Sequence, residues 1–264
     1  MNKVTRLKYY IESLCIYDFE DDDVFSALYD LLCDDEEDTV ALQGYFFKEL
    51  AKSESLKKHI SRLILTNDNI FTKAACAGKA GELSIAVLNA VKSDLAKLEE
   101  IASLTAQDIL AGVDDEDVKE ILLTLPGWEV GKALAPLDTH WDKQIDELIK
   151  YHRENGYGIY AKNIAFTWRD EEITPVNSID PIRLTDLKNY ELQRNKVIDN
   201  TESFIAGHPA NNVLLYGDRG TGKSSTVHAI LNEYWQEGLR MIEIPKSAVA
   251  DLSLIREQIA DSPM

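Results

Sequence analysis

The residues with the clearest chemical potential form a glycine-rich segment, Gly217-Asp218-Arg219-Gly220-Thr221-Gly222-Lys223-Ser224. This segment fits the pattern G-x-x-x-x-G-K-[ST], which forms a loop whose backbone amides surround the phosphates of a nucleotide. Glycines at both ends and in the middle allow the backbone conformations that such a concave loop requires. The segment therefore predicts a binding site for a nucleoside triphosphate.

The side chains at the end of this segment have distinct predicted roles. Lys223 is expected to reach the β- and γ-phosphates, and the hydroxyl of Ser224 is expected to ligate Mg²⁺. Ser225 is expected to add one further donor. The helix that begins here would direct its positive dipole end at the phosphates. The predicted catalytic contribution is phosphate and metal positioning by Lys223 and Ser224, and no general base can be assigned.

The flanking sequence favours the strand, loop and helix order that such a site requires. Upstream, Val213 to Tyr216 is a continuous apolar run, which is typical of a strand buried on both faces. Downstream, apolar residues recur at helical spacing from Val227 until Gly238. A dinucleotide-binding loop is disfavoured, because the glycines read G-x-x-G-x-G. A glycine turn without a ligand is the structural alternative.

Composition and charge indicate two units of different character. The chain has 264 residues, 45% of them apolar, and a formal net charge of -18. Residues 1–150 hold 16 Lys and Arg against 30 Asp and Glu, whereas residues 151–264 hold 12 against 16. The acidic first part argues against nucleic-acid binding, although it could meet a protein partner or simply favour solubility.

The three cysteines, Cys15, Cys33 and Cys76, are far apart and lack C-x-x-C spacing. This pattern favours a reducing compartment over a disulfide framework or a zinc site. The N-terminus lacks the apolar core of a secretion signal, and no run of about 18 apolar residues occurs. We therefore expect a cytoplasmic protein without a membrane span.

Residues 1–153 are predicted to form an all-helical domain. Apolar stripes at helical spacing run over residues 4–14, 24–32, 42–50, 56–65, 83–101, 118–125 and 141–151. The acidic runs 20–23, 34–38 and 114–117 precede such stripes, where Asp is expected to cap helix N-termini. A stack of helical hairpins is an alternative, because the predicted helices have similar lengths. The sequence shows no repeat of fixed period.

Residues 154–181 are predicted to form an extended linker or a short hairpin. Ile159 to Trp168 alternates enough for an extended segment, and the polar stretch 170–181 contains two prolines that exclude a regular helix. Helical periodicity resumes from Leu187 to Ile205, and residues 208–212 are expected to turn the chain toward the apolar run. Residues 182–264 would then form the nucleotide-binding domain.

Several further segments carry a family resemblance: Gly156-Tyr157-Gly158, Phe166-Thr167-Trp168, Leu184-Thr185-Asp186-Leu187, Tyr190-Glu191-Leu192-Gln193, and Pro209 to Gly217 running into the loop. From Ile164 onward the chain resembles an uncharacterised bacterial family of AAA+-like ATP-binding proteins, a domain of unknown function. The resemblance implies an α/β P-loop NTPase fold of the AAA+ type, incomplete here, preceded by an all-α domain.

The resemblance also implies where the base would bind. In AAA+ proteins the segment before the first helix of the domain cups the adenine, so the implied contacts are Ile182, Leu184 and Tyr190. Packing of these side chains against the start of a helix is the alternative. Ring assembly, and with it a homo-oligomer of the complete protein, is implied by the resemblance alone.

The sequence after the loop departs from the AAA+ pattern. A strand ending in paired acidic residues (Walker B), a polar sensor and a helical lid are all missing before Met264. One strand, Met241–Ile244, and one helix, Leu252–Ile259, are predicted instead. Glu243 is expected inside that strand rather than at its carboxyl end, which argues against a metal role. We expect a chain truncated before the Walker B strand that binds nucleotide but hydrolyses it poorly.

These observations lead to one main functional hypothesis and two alternatives. The main hypothesis is an ATP-binding protein, the N-terminal part of an AAA+-like ATPase that uses ATP and Mg²⁺, with a helical domain that binds a partner or regulates the ATPase. One alternative is a nucleotide-gated interaction module without significant turnover. The other is a helicase-loader-like ATPase acting on DNA, which the acidic charge disfavours.

Overall fold

The computed structural model describes residues 1–34, 38–53, 55–176 and 178–260. The chain divides into two compact units, Met1–Gly158 and Ile159–Met264. None of the helices in the described ranges combines the length and apolar character that a membrane span requires.

The first unit, which we call the helical unit, is built from helices over its described residues. They are α1 (Lys3–Glu12), α2 (Asp23–Cys33), α3 (Thr39–Leu50), α4 (Leu56–Leu65), α5 (Ile70–Cys76), α6 (Ile85–Ile101), α7 (Ala106–Leu110), α8 (Glu116–Leu122) and α9 (Ile145–Asn155). Single 3-10 turns lie at Ala80–Glu82 and Trp141–Lys143. Each apolar stripe predicted over this region overlaps a helix, although the stripe at 118–125 extends past the end of α8 and the stripe at 141–151 covers a 3-10 turn as well as α9. The sequence analysis missed α5 and α7, which are too short to show a periodic stripe.

Aspartate capping, predicted at three acidic runs, occurs at two of them. The Asp22 side chain accepts the amide of Phe25 at the start of α2, and Asp115 accepts two amides at the start of α8. Asp38 precedes α3 but makes no side-chain capping bond, so the expectation was wrong at that residue. Residues 35–37 of this run lie outside the described residues.

The helical unit has its own apolar core. The largest fully buried side chains include Leu7, Phe46, Phe71, Leu95 and Trp141, which come from different helices and turns. Because helices are apolar on one face only, packing those faces together removes the stripes from water and stabilises the unit. Most acidic residues of the unit lie on its surface, but Asp94 and Glu49 are buried.

The second unit, which we call the loop unit, combines helices with a small sheet. Its elements are α10 (Gly158–Lys162), β1 (Ala165–Arg169), β2 (Glu172–Pro175), α11 (Glu191–Ile205), α12 (Lys223–Tyr234), β3 (Met241–Glu243) and α13 (Leu252–Gln258). Additional 3-10 turns lie at Leu184–Asp186, Trp235–Glu237 and Lys246–Asp251. The strand predicted at 241–244 is observed as β3 and the helix predicted at 252–259 as α13, and each ends one residue earlier than predicted.

The described strands form one sheet in the order β2-β1-β3. β1 pairs with β2 antiparallel and with β3 parallel. The β1–β2 hairpin turns at Asp170 and Glu171, whose φ angles are 52° and 62°. Two consecutive residues with positive φ are typical of the tight type I′ turn, which matches the twist of a hairpin. This pairing places β2 inside the stretch 170–181, which the sequence analysis treated as a polar linker.

The strand predicted at Val213–Tyr216 is not observed. Residues 211–216 have no regular secondary structure, and the side chains of Leu214 and Tyr216 are 83% and 87% exposed. A strand forms only where a neighbouring strand accepts its backbone hydrogen bonds, and among the described residues the neighbours of β1 are β2 and β3. The apolar run therefore leads into the loop as exposed, unpaired chain.

Candidate functional site

The glycine-rich loop adopts a conformation that depends on its glycines. Gly217, Gly220 and Gly222 have φ angles of 141°, 84° and 79°, a region that other L-residues rarely adopt. Gly222 is the N-cap residue of α12, and the amide of Thr226 makes the first bond of that helix to its carbonyl at 2.8 Å. The loop thus ends directly at a helix N-terminus, where positive potential is concentrated.

Lys223 folds back across this loop. Its Nζ donates to the carbonyl oxygens of Asp218 at 2.7 Å and Gly217 at 3.1 Å, and lies 3.3 Å from Oγ1 of Thr221. The Thr221 hydroxyl in turn donates to the Asp218 carbonyl at 2.9 Å. Over the described residues Lys223 forms no ion pair with a carboxylate. The loop therefore holds an ammonium group whose charge is not neutralised.

The loop forms one wall of a cavity of about 560 Å³ within the loop unit, which we call the loop cavity. A second wall, which we call the opposite wall, comes from eight residues between 187 and 197, in the turn before α11 and its first two turns. This volume lies within the range that small-ligand sites usually occupy. Its charged lining residues are Lys188, Arg194, Lys196, Lys223 and Asp218. Basic side chains thus dominate a cavity in a protein whose net charge is -18.

The predicted site residues divide into two groups. Six line the loop cavity: Tyr190, Gly217, Asp218, Thr221, Gly222 and Lys223. The other six, Ile182, Leu184, Arg219, Gly220, Ser224 and Ser225, do not. Ile182 instead contributes its carbonyl to the side chain of Asn232 on α12 at 2.9 Å. Leu184 begins a 3-10 turn that contacts α12. Neither residue lines the loop cavity, and contact of their side chains with a base stays a prediction.

The wall opposite the loop is positioned by polar contacts. Asn189 and Tyr190 both have positive φ, which delays the start of α11 to Glu191, four residues after the predicted Leu187. The guanidinium of Arg194 donates to the carbonyl of Leu187 at 2.6 Å and so closes this turn. Tyr190 is therefore placed at the cavity by backbone geometry that sequence periodicity does not reveal.

Two side-chain contacts connect α11 to the segments that carry the loop. The Asn200 amide group exchanges two hydrogen bonds with the backbone of Asn211, at 2.8 and 2.9 Å. The Tyr234 hydroxyl on α12 donates to Glu202 at 2.7 Å. Burial and this bond to Glu202 raise the pKa of Tyr234 to about 12, so the hydroxyl remains a donor at neutral pH. Both backbone polar groups of Asn211 are thus bound by the Asn200 side chain.

Residues 161–264 match a family model described as "Protein of unknown function (DUF815)". The match covers nearly all of the loop unit and includes both walls of the loop cavity. No curated protein and no solved structure matched the chain. We refer below to residues 161–264, the part of the chain that matches this model, as the DUF815 segment.

The described residues of the DUF815 segment give Mg²⁺ a poor set of ligands. Mg²⁺ prefers six oxygen ligands, usually one or two carboxylates with phosphates and water. Ser224, the predicted ligand, is exposed and does not line the loop cavity, and Asp218 is the only acidic residue among the described lining residues. Across the described chain no group of three His, Cys, Asp or Glu residues is placed to hold a metal ion. This donor set does not fit a bound magnesium ion.

A second cavity in the DUF815 segment lies at the carboxyl ends of β1 and β3 and is predominantly acidic. Its charged lining residues are Arg169, Asp170, Glu171, Glu243 and Asp251. The indole of Trp168 donates to Asp251 Oδ2 at 3.0 Å. β3 ends at Glu243, so the prediction that Glu243 lies inside its strand was wrong. No residue of the glycine-rich loop lines this cavity, and Glu243 does not line the loop cavity.

The sequence analysis missed the basic residues of the loop cavity. Lys188, Arg194 and Lys196 belong to the wall opposite the loop, about 20 to 35 residues earlier in the chain. Their signal in the sequence was a short cluster of positive charge in an acidic protein, located just before the phosphate-binding pattern. Only the fold shows that this cluster and the loop face one cavity.

The helical unit contains a serine–histidine–aspartate chain that the sequence did not reveal. Ser53 Oγ lies 2.8 Å from His59 Nδ1, and His59 Nε2 lies 2.8 Å from Asp22 Oδ1. Burial alone would raise the pKa of Asp22, but hydrogen bonds from His59 and from the amide of Phe25 lower it. Because His59 is buried and Asp22 already caps α2, we interpret the chain as a structural link rather than a nucleophilic site.

Proposed function

We propose that the DUF815 segment binds a nucleoside triphosphate, with ATP as the leading ligand. The polyphosphate would lie on the Gly217–Lys223 loop, and the base against the wall that carries Tyr190. The observation that carries this proposal is the placement of Lys223, whose unneutralised ammonium crosses a loop of positive-φ glycines inside a cavity rich in basic side chains. Such a site favours polyanions through backbone amides, a helix N-terminus and fixed positive charge.

The same site supports binding better than turnover. Hydrolysis of a triphosphate requires an oriented water molecule in addition to charge stabilisation. Asp218, the only carboxylate lining the cavity, contributes its backbone carbonyl to Lys223 and Thr221. We assign no residue to water activation. The proposed function is therefore nucleotide binding within an AAA+-like ATPase, in which the helical unit binds a partner protein or regulates the site.

The poor provision for water activation also favours a second candidate, a nucleotide-gated interaction module. In that case nucleotide occupancy would change the affinity of the helical unit for its partner, and no turnover would be required. Steady-state hydrolysis by the protein, compared with partner affinity in the presence of a non-hydrolysable analogue, separates the two candidates. A homo-oligomer of the complete protein would be compatible with both the ATPase and the interaction module.

The test of nucleotide binding is isothermal titration calorimetry of the purified chain with ATP, GTP, ADP and adenosine. We expect saturable binding of ATP and ADP and no measurable binding of adenosine, because adenosine lacks the polyphosphate that the loop is proposed to hold. GTP reports whether the Tyr190 wall distinguishes the base. Equal binding of adenosine and ATP, or no binding of any nucleotide by folded protein, would overturn the proposal.

A further inference from the structure

The loop cavity contains more positive charge than its phosphate-binding loop supplies. The loop contributes Lys223, whereas the opposite wall contributes Lys188, Arg194 and Lys196. Asp218 is the only acidic residue among the lining residues. The excess is local, because the protein as a whole carries a net charge of -18. A cavity that concentrates cations in an acidic protein is adapted to a strongly anionic ligand.

Two of these cations are available to a ligand. Lys188 and Lys196 are exposed, and over the described residues neither forms an ion pair with a carboxylate. Arg194 has a partner, since its guanidinium donates to the Leu187 carbonyl. Lysine side chains are long and carry three donors on a flexible stem, so they can follow the position of a phosphate. Lys188 and Lys196 therefore line the cavity without an ion-pair partner among the described residues.

The loop cavity has few oxygen ligands for a metal ion. A nucleotide site that depends on Mg²⁺ uses the ion to neutralise part of the polyphosphate charge, and it supplies oxygen ligands for that ion. Here the exposed Ser224 hydroxyl lies outside the cavity lining, and Asp218 is the only lining carboxylate. Three further cations on the opposite wall would repel a divalent cation and attract the phosphates. Both the charge of the cavity and its few oxygen ligands therefore favour the phosphates over a divalent cation.

We infer that Lys188 and Lys196, together with Lys223, neutralise the polyphosphate in place of Mg²⁺, so that metal-free ATP is as good a ligand as its magnesium complex. The inference rests on the proposed function and specifies the ionic form of the nucleotide that the site accepts. Lys188 and Lys196 are then binding residues of the loop cavity, and the wall they occupy serves the phosphates as well as the base.

The test compares ATP affinity in excess Mg²⁺ and in excess EDTA, measured by calorimetry at equal ionic strength. For the unmodified chain we expect the two dissociation constants to agree within about threefold. In the double variant Lys188→Gln/Lys196→Gln we expect affinity in EDTA to fall by about tenfold, in the range of two exposed charge interactions, and to fall less in Mg²⁺. Lys246→Gln is the matched control, because it removes a lysine from the same unit outside both cavities.

The outcomes separate this inference from the proposed function. If the unmodified chain binds ATP only in Mg²⁺, the inference is wrong and nucleotide binding stands. If it binds ATP in neither buffer, the proposed function is wrong as well. If the double variant keeps the affinity of the Lys246→Gln control in EDTA, Lys188 and Lys196 do not contact the phosphates and the inference is overturned. Circular dichroism of both variants verifies that they are folded.

Discussion

Replacement of Lys223 by methionine should remove most of the nucleotide affinity of the chain. Methionine keeps an unbranched side chain of similar length, so the loss is mainly that of the ammonium group. In the structure this group contacts only neutral oxygens, those of Gly217, Asp218 and Thr221, the nearest at 2.7 Å. No carboxylate competes for its charge, and a phosphate would receive the full electrostatic interaction.

The size of this effect follows from the half-buried position of Lys223. Two unit charges about 4 Å apart interact by about 1 kcal/mol in bulk water and by about 4 kcal/mol near a protein surface. A value of about 2 kcal/mol between these limits corresponds to a loss of affinity of roughly 30-fold. Loss of the contacts that Lys223 makes to the loop carbonyls would add to this figure, because the loop would no longer be held in its present shape.

Calorimetry with ATP on the unmodified chain, Lys223→Met and Lys246→Met measures the effect directly. Lys246→Met makes the same substitution in the same unit, away from the loop cavity, and should bind like the unmodified chain. Thermal unfolding of all three proteins detects a variant that has lost its fold. A decrease of less than about threefold for Lys223→Met would refute the assignment of this ammonium to the phosphates.

Two predictions concern the helical unit. Asp94 is fully buried, and its Oδ2 accepts the amides of residues 15–17 at 2.7 to 3.3 Å. Asp94→Ala should therefore lower the free energy of unfolding by about 3 to 5 kcal/mol, measured by urea titration. A loss below about 1 kcal/mol would contradict this role of Asp94. Burial lowers the pKa of His152 below its ordinary value of 6.5, although its bond to the Gly156 carbonyl acts in the opposite direction. As the pH falls, His152 is therefore protonated in the unfolded chain before it is protonated in the folded chain. The free energy of unfolding should decrease below pH 6.5 by up to about 1.4 kcal/mol per pH unit. Urea titrations between pH 7.5 and 5.5 should show a smaller slope for His152→Gln than for the exposed-site control His140→Asn, and equal slopes would exclude His152 as the source.

Helices with a full apolar stripe were predictable from the sequence, whereas the short helices α5 and α7 and the start of α11 were not. The stripe at 56–65 coincides with α4, because four apolar residues on one face are buried there. The start of α11 was placed too early, since the positive φ of Asn189 and Tyr190 interrupts a pattern that still looks helical. The periodicity of apolar residues indicates which side chains are buried, but it does not reveal a single residue whose backbone conformation interrupts a helix.

The apolar run before the loop illustrates a different limit. Val213 to Tyr216 has the composition of a buried strand, but burial requires a neighbouring strand, which a local sequence pattern does not specify. The loop itself was predictable, because its chemistry resides in consecutive residues with fixed spacing. The opposite wall was not, since Lys188 and Lys196 acquire meaning only when the fold brings α11 to face the loop. Of the two segments that form the candidate site, the sequence therefore predicts the loop but not the opposite wall.

The construction of the two walls determines what a bound nucleotide would do to the protein. α11 has no buried residue, so it is held against the loop-bearing segments mainly by polar contacts such as those between Asn200 and Asn211 and between Tyr234 and Glu202. Such contacts individually contribute little to stability, whereas the helical unit retains an apolar core of its own. A ligand that spans the loop cavity would join the two walls and stabilise the loop unit in proportion to its occupancy. If the chain binds a nucleotide as proposed, the polar attachment of α11 is the feature through which the ligand would alter the structure of the DUF815 segment.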